Sequence, residues 1–260
     1  MNYMGSKNRL AKYLIPIIQP FVDKSDAYYE PFVGGANLID KIKCDRRYGS
    51  DINYYLIELL KMTRDYPEIL PVTISEEEYY YVKDAVNWYE PWYVGLVGFC
   101  ASFGSKWFNG YARGFKDDGV TPRNHSNERI RNLIKQSPDL KGIVFKHCSY
   151  DKTNVNLKGF TIYCDPPYRG TTKYKDSEFN YERFYDWCYK LAKNNFVFVS
   201  EYNIPDERFM CIWEKEHKTN LALDRQDKTR QDKTRQDKTR QDKTRQDKTR
   251  QYKTRKIIYS

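Results

Sequence analysis

"DAYYEPFVGGANLIDKIKCDRRYGSDIN", residues 26–53, decides how the rest of the chain is read. A short aromatic run ends in Glu30-Pro31-Phe32, where proline closes a strand because it has no N–H to give to a ladder. Gly34 and Gly35 follow, a turn able to take backbone conformations that are costly for other residues. "LIDKI" reads as helical, and "RRYGSDIN" as a second strand closing on Asp51. The helical "YYLIELLKM" comes next, so strand, glycine turn, helix, strand, acid and helix alternate as in a parallel α/β sheet.

Upstream, "GSKNRLAKYLIPIIQPF" puts Leu10, Leu14, Ile17 and Ile18 at helical spacing, with Ser6 placed to cap the helix. Downstream the rhythm breaks. "SEEEYYYVKDAVNWY" is helical and "WYVGLVGFCASF" is apolar enough for a buried helix. "GSKWFNGYARGFKDDGVTPRNHS" is a glycine-rich loop mixing basic and aromatic residues, and "NERIRNLIKQS" is a helix leading to the strand "GIVFK". The alternation then resumes with the strand "FTIYCD", the helix "NYERFYDWCYKLAKN" and the strand "NFVFVSEY", and "RFMCIWEKEHKT" and "KTRKIIYS" read as closing strands. The expected organisation is a catalytic α/β domain of residues 1–54, 146–223 and 252–260. A mainly helical insert occupies 55–145, and a low-complexity loop 224–251. In that loop "DKTRQ" occurs five times without variation from Asp227 to Gln251. It has no apolar residue with which to join a core.

Two constellations carry chemistry. The first is the glycine turn with Asp51. An acid at the end of the strand after such a turn is placed to accept hydrogen bonds from ribose hydroxyls, which points to an adenosine-containing cofactor. GxGxxG spacing is missing, which disfavours NAD, and there is no GxxxxGK[ST] loop for ATP. The second is Asp165-Pro166-Pro167-Tyr168 at the end of "FTIYCD". Each proline bars the helical region for the residue before it, so Asp165 and Pro166 are held extended where the strand stops. The Asp165 carboxylate, the Pro166 carbonyl and the flat ring of Tyr168 suit a planar group bearing an NH2, such as the amino edge of a nucleobase.

Taken together, Asp-Pro-Pro-Tyr after a hydrophobic strand resembles the catalytic motif of amino-group DNA methyltransferases, and "EPFVGGAN" resembles their S-adenosylmethionine motif. "MNYMGSKNRLAKYLIPII" is similar to the N-terminal motif of the Dam-like adenine-specific (alpha group) enzymes, in which cofactor motif, recognition insert and catalytic motif come in this order. The resemblance implies a Rossmann-like methyltransferase sheet that moves the methyl group of S-adenosylmethionine to the exocyclic N6 of a flipped-out adenine in double-stranded DNA. It implies Tyr3, Lys7, Glu30, Phe32, Gly34, Gly35 and Asp51 around the cofactor, and Asp165, Pro166 and Tyr168 as the catalytic pocket. "CSYD", with Ser149 and Tyr150, resembles the short motif before the catalytic strand. The chain departs from the family at Ala36, where a further glycine is common; alanine restricts the turn. Cytosine N4, RNA and glutamine-amide methyltransferases use related motifs, and the N-terminal motif with the motif order favours adenine in DNA. A non-catalytic DNA-binding protein is the alternative from another class, against which the intact Asp165–Tyr168 motif stands. Carbon-5 cytosine methylation needs a cysteine nucleophile, usually in a Pro-Cys pair, and the chain has no such pair.

Charge and composition fit this reading. The net charge is +10, but residues 224–260 hold fourteen Lys/Arg against six Asp, so the tail carries most of it. Within the rest, 92–147 hold nine Lys/Arg against four Asp/Glu. This local excess suits a phosphate-facing insert. Lys106, Arg113 and Lys116 are expected to reach phosphates or guanines, and Trp107, Phe108 and Tyr111 to stack on bases or fill the gap left by the flipped one. Six dispersed cysteines and three dispersed histidines give no metal-ligand spacing, so no metal is expected and the thiols should be reduced and mostly buried. No run is long and apolar enough to span a bilayer or serve as a signal-peptide core. The expectation is a cytoplasmic, monomeric protein encoded by a bacterium or a phage.

Overall fold

The computed structural model describes residues 1–168, 179–218 and 252–259. The five repeats from Asp227 to Gln251 lie outside the described residues. The chain runs through α1 (Asn8–Val22), β1 (Ala27–Glu30), β2 (Arg47–Asp51), α2 (Tyr54–Asp65), α3 (Glu76–Asp84), α4 (Pro91–Cys100) and α5 (His125–Leu140). It continues through β3 (Ile143–His147), β4 (Phe160–Cys164), α6 (Tyr181–Ala192), β5 (Phe196–Glu201), β6 (Met210–Lys218) and β7 (Tyr252–Tyr259).

The seven strands form one sheet in the order β3-β2-β1-β4-β5-β7-β6. The first five are parallel, and β7 inserts antiparallel between β5 and β6. The expected Rossmann-like α/β sheet is therefore present. The chain builds outward from β1 to β3 and then returns to β4 on the other side. β1 and β4 flank the point where the strand order reverses, and open parallel sheets bind ligands beyond the carboxyl ends at such a point. Tyr29 on β1 pairs with Ile162 on β4, and Glu30 with Gly49 on β2. In that register the glycine turn, Asp51 and Asp165 all leave the sheet at one edge.

Side chains alternate between two cores, as the two-residue period of a strand requires. Tyr28, Tyr163 and Phe198 enter the core shared with α1, α2, α4 and α5. Tyr29, Ile162, Cys164, Val197 and Val199 enter a second core beneath α6. The helices read as an insert share the first core: α2 packs on β2 and β3 as well as on α4 and α5. Gly95 permits this joint, since a methyl group there would stand 2.3 Å from the Tyr55 carbonyl oxygen.

Local chemistry sets the element ends. Asn53, Ser75, Asn124 and Asn180 each accept a backbone N–H at the start of α2, α3, α5 and α6, and Ser75 forms a reciprocal box with Glu78. Three sequence expectations change. The first helix starts at Asn8, so Lys7 holds the cap position and Ser6 accepts the Asn8 N–H from one residue earlier, at 3.2 Å. "LIDKI" shrinks to a single 3-10 turn, Ile39–Lys41, because Leu38, Ile39 and Ile42 all bury and Ile42 is already extended toward β2. The basic-aromatic loop is partly paired: Ala112 N–H donates to Ala101 O and Phe103 N–H to Gly110 O. Farther along, Lys116 and Thr121 flank a turn in which Asp118 accepts two backbone N–H groups.

The cysteines are free thiols: Cys100, Cys164 and Cys188 are buried, Cys44 and Cys148 partly so, and Cys211 is exposed. Among the described residues no helix is long and apolar enough to cross a membrane, and no three His, Cys, Asp or Glu gather as a metal site would need.

Candidate functional site

Beyond β1 the backbone takes left-handed conformations at Gly34, φ 49°, and at Ala36, φ 55°. Alanine adopts φ of this sign only with strain. The departure from glycine noted at position 36 thus falls on a residue held in the left-handed region. Tyr3 packs directly on the turn. A methyl group on Gly34 would lie 3.1 Å from its ring, and one on Gly35 would lie 2.8 Å from its Cβ and 2.7 Å from Asn37 Nδ2. The ring of Tyr3 in turn meets Phe99 of α4, with centroids 5.4 Å apart.

Asp51 braces the same turn. One carboxylate oxygen accepts the Gly34 N–H at 3.1 Å and the other the Asn53 N–H at 3.0 Å. Burial pushes its carboxyl upward and the backbone donors pull it back, leaving a net upward shift. The exposed Ile52 lies just beyond, and its carbonyl bonds His147 Nε2 at 3.0 Å. Glu30 is buried and accepts the Tyr28 hydroxyl at 2.8 Å. Burial raises its carboxyl well above the usual range, against the opposing pull of the Tyr28 bond. Phe32, expected at the cofactor turn, is half-buried on the α6 side of the sheet, where its ring meets Tyr150, Phe179 and Phe184 tilted or edge-on.

The end of β4, the strand paired with β1, lies at the same edge of the sheet. Asp165 and Lys7 form an ion pair, so the lysine expected beside the cofactor reaches the Asp-Pro-Pro-Tyr motif 158 residues away. The Lys7 ammonium also lies 5.0 Å from the centre of the Tyr168 ring. Burial acts to lower the Lys7 pKa, but Asp165 and Tyr168 outweigh it and the net shift is upward. The other Asp165 oxygen, Oδ1, is buried with no hydrogen-bond partner among the described residues. A buried acceptor in that condition costs on the order of 1–3 kcal/mol and marks a place where a donor belongs.

The surroundings fix this motif. Tyr168 shares a hydrogen bond of 2.8 Å with Ser200 Oγ at the end of β5, and its ring stands edge-on to Tyr202. Burial pushes its hydroxyl up to about 12, so it stays protonated. The Tyr181 hydroxyl donates to the Pro167 carbonyl at 2.9 Å. Ser200 and Tyr181 were not foreseen from the sequence. Ser200 carried a usable signal, since it sits at the carboxyl end of the strand next to β4.

The expected DNA-facing residues divide. Lys106 and Lys116 are exposed. Arg113 is exposed but paired through two nitrogens with Glu76. Trp107 stacks on Tyr55 at 5.2 Å and packs against Phe99 and Phe108. Tyr111 donates its hydroxyl to Ile74 O at 2.9 Å and lies edge-on to Tyr79. Phe108 likewise rests on Tyr79. These three rings hold the segment together, though Trp107 keeps 38% of its surface exposed; Phe103 and Phe115 of the same segment are more open, at 62% and 63%.

The residues suit an adenosine-bearing methyl donor and an amine. The turn is braced by a carboxylate where ribose hydroxyls would need acceptors, and Asp165 Oδ1 is a buried acceptor with no donor among the described residues. The chain is 25% identical over 206 residues to Type II methyltransferase M.FokI of Planomicrobium okeanokoites, an alignment spanning 72% of this chain and 31% of that relative. The family model of the D12 class N6 adenine-specific DNA methyltransferases matches residues 3–188, from Tyr3 beside the glycine turn, through the Asp165–Tyr168 motif, into α6. The chain belongs to that family.

Proposed function

We propose that this chain methylates the exocyclic N6 of adenine in double-stranded DNA, at a specific site, using S-adenosylmethionine. The observation that carries the reading is Asp165. One of its oxygens is a buried acceptor without a partner among the described residues, and the other is held by an ammonium lying over the Tyr168 ring. Lys7 therefore stands where a base's amine would stand, above an aromatic face and against a carboxylate.

When bound, S-adenosylmethionine supplies an electrophilic methyl carbon. The residues of this chain do the remainder. The Asp51 carboxylate and the Gly34–Gly35 turn hold the adenosine portion, with Tyr3 packed behind the turn. The target adenine enters with its ring on Tyr168 and its amine on Asp165 and the Pro166 carbonyl, moving the Lys7 ammonium aside. Those two acceptors orient the amine nitrogen and stabilise positive charge as it develops there. A base within a duplex cannot reach this edge, so it must leave the stack, which costs a few kcal/mol that stacking on Tyr168 partly offsets.

The segment read as a recognition insert, 55–145, would meet the DNA. Lys106 and Lys116 are exposed for phosphates, and Phe103 and Phe115 are exposed for stacking. Arg113 can join them by releasing Glu76, since an exposed ion pair is worth about 0–1 kcal/mol. On this reading the protein works as a monomer in the cytoplasm of a bacterium or phage-infected cell.

The test is product analysis. The protein is incubated with methyl-labelled S-adenosylmethionine and duplex DNA of mixed sequence, and the DNA is then digested to nucleosides. Label in N6-methyladenosine's deoxy form is the expected result. Label in N4-methylcytosine would overturn the adenine assignment, and absence of label in DNA would overturn the enzymatic one.

A further inference from the structure

The glycine turn is held from a direction that neither its own strand nor Asp51 provides. Gln136, on α5, is buried, with 7% of its surface exposed. Its side-chain Nε2 donates to the Gly35 carbonyl at 3.2 Å, the Ala36 carbonyl at 3.1 Å and Asp40 Oδ2 at 2.7 Å. Its Oε1 accepts from the amino group of Met1, which also donates to Asn37 Oδ1 at 3.1 Å. Both the nitrogen and the oxygen of one amide are thus bonded to the turn and the residues that flank it.

This matters because the turn is not at rest in an ordinary conformation. Gly34 and Ala36 both lie at positive φ, and Ala36 does so with a Cβ. A trans peptide is planar, so a carbonyl fixed on one side sends the N–H of the same unit to the other. By holding the carbonyls of residues 35 and 36 toward α5, Gln136 fixes which way the N–H groups of Ala36 and Asn37 point. The Ala36 N–H closes on Val33 O at 2.9 Å, which completes the turn. Without the amide, two buried carbonyls would lose their donor and Ala36 would be free to relax out of the left-handed region.

We propose that Gln136 is a positioning residue for the methyl donor: it acts through the backbone of residues 34–37 and sets cofactor affinity without touching the cofactor. The inference rests on the methyltransferase reading of the same site. Nothing in the pattern "RNLIKQSPDL" marks Gln136 out; the contacts reach back about a hundred residues in the chain.

The test uses the full chain with Gln136→Met, which removes both donors at similar length. Gln136→Glu, which keeps the acceptor and the shape, is a second variant should the first fail to fold. Folding is checked by circular dichroism. S-adenosylhomocysteine binding is measured by calorimetry, and duplex oligonucleotide binding by fluorescence anisotropy. Losing these bonds should weaken S-adenosylhomocysteine about tenfold or more, with oligonucleotide affinity unchanged within about twofold. Folded variants that bind S-adenosylhomocysteine like wild type would overturn the inference, and so would an equal loss of both affinities, which would mean general disruption. Failure of the wild-type protein to bind S-adenosylhomocysteine would instead overturn the methyl-donor reading beneath it.

Discussion

Replacing Gly95 by alanine tests how α4 is joined to α2 and, through it, to the sheet. At a helix position with open space, glycine to alanine stabilises a protein by about 1 kcal/mol. Here the added methyl would stand 2.3 Å from the Tyr55 carbonyl oxygen and 3.2 Å from Leu59 Cβ, where ordinary contact begins at 3.4 Å. The obstacle is backbone in the first turn of α2, which cannot rotate away as a side chain can, so α4 must move off by roughly 1 Å. Overpacking of this kind costs about 1–3 kcal/mol, and backbone against backbone belongs at the upper end. After the propensity gain the net loss is about 1–2 kcal/mol, a fall in Tm of about 2–8 °C for a chain of this size. Urea titration at 25 °C, with calorimetric melting alongside, reads the change directly. Gly98→Ala is the companion, because its methyl would meet the Trp107 ring at 2.6 Å, and a ring can turn. Gly95→Ala should therefore be the more damaging of the two. A Gly95→Ala protein as stable as wild type, or more stable, would refute the close α2–α4 joint and with it the placement of the loop that α4 carries.

Three further outcomes follow from the site. Glu30→Gln keeps the bond from the Tyr28 hydroxyl but removes the ionisable group. The wild-type folded state holds this acid protonated far above the unfolded value near 4.3, so stability falls as pH rises through that value toward the folded one. The variant should be the more stable at pH 8, with the gap closing near pH 4.5; an equal gap at both pH values in denaturant titrations would contradict this. Lys7→Met strands the Asp165 carboxylate. Breaking a fully buried pair costs 3–5 kcal/mol, and with a fifth of the Asp165 side chain exposed the loss should be about 1–3 kcal/mol by urea denaturation. An unchanged midpoint would show that the pair does not form. Phe115→Ala should leave stability within about 0.5 kcal/mol, because the ring is exposed, yet weaken duplex binding by about 1–3 kcal/mol if it stacks on bases. Equal anisotropy titrations for variant and wild type would remove Phe115 from the interface.

The sheet was legible because its strands are punctuated. β1 runs into Pro31, β4 into Pro166, and β2 into Asp51, and each stop is a chemical event in the backbone that needs no partner to be recognised. The same residues disclose the site, since a parallel sheet brings successive strand ends to one edge. Contacts between distant segments were not legible. The Lys7–Asp165 pair spans 158 residues, and no local pattern distinguishes a lysine that reaches a carboxylate from one left in solvent. The packing of the aromatic residues in the loop was hidden for a related reason. Trp107, Phe108 and Tyr111 sit among glycines that erase any period, so inward and outward rings look alike in the sequence. Only the hydroxyl bond of Tyr111 to Ile74 O and the stacking of Trp107 on Tyr55 show which way they face. The short 115–122 pairing did have a signal, the Asp118-Gly119 turn between Phe115 and Pro122.

The most direct measurement is single-turnover methyl transfer by Asp165→Ala beside wild type, with saturating duplex DNA and S-adenosylmethionine. The rate should fall by about 10²–10³, the usual loss when one group placed to stabilise developing charge is removed, while cofactor affinity holds near the wild-type value. Transfer to adenine at a rate close to wild type would show that the amine is gripped elsewhere and that the carboxylate at the end of β4 is not where the reaction happens.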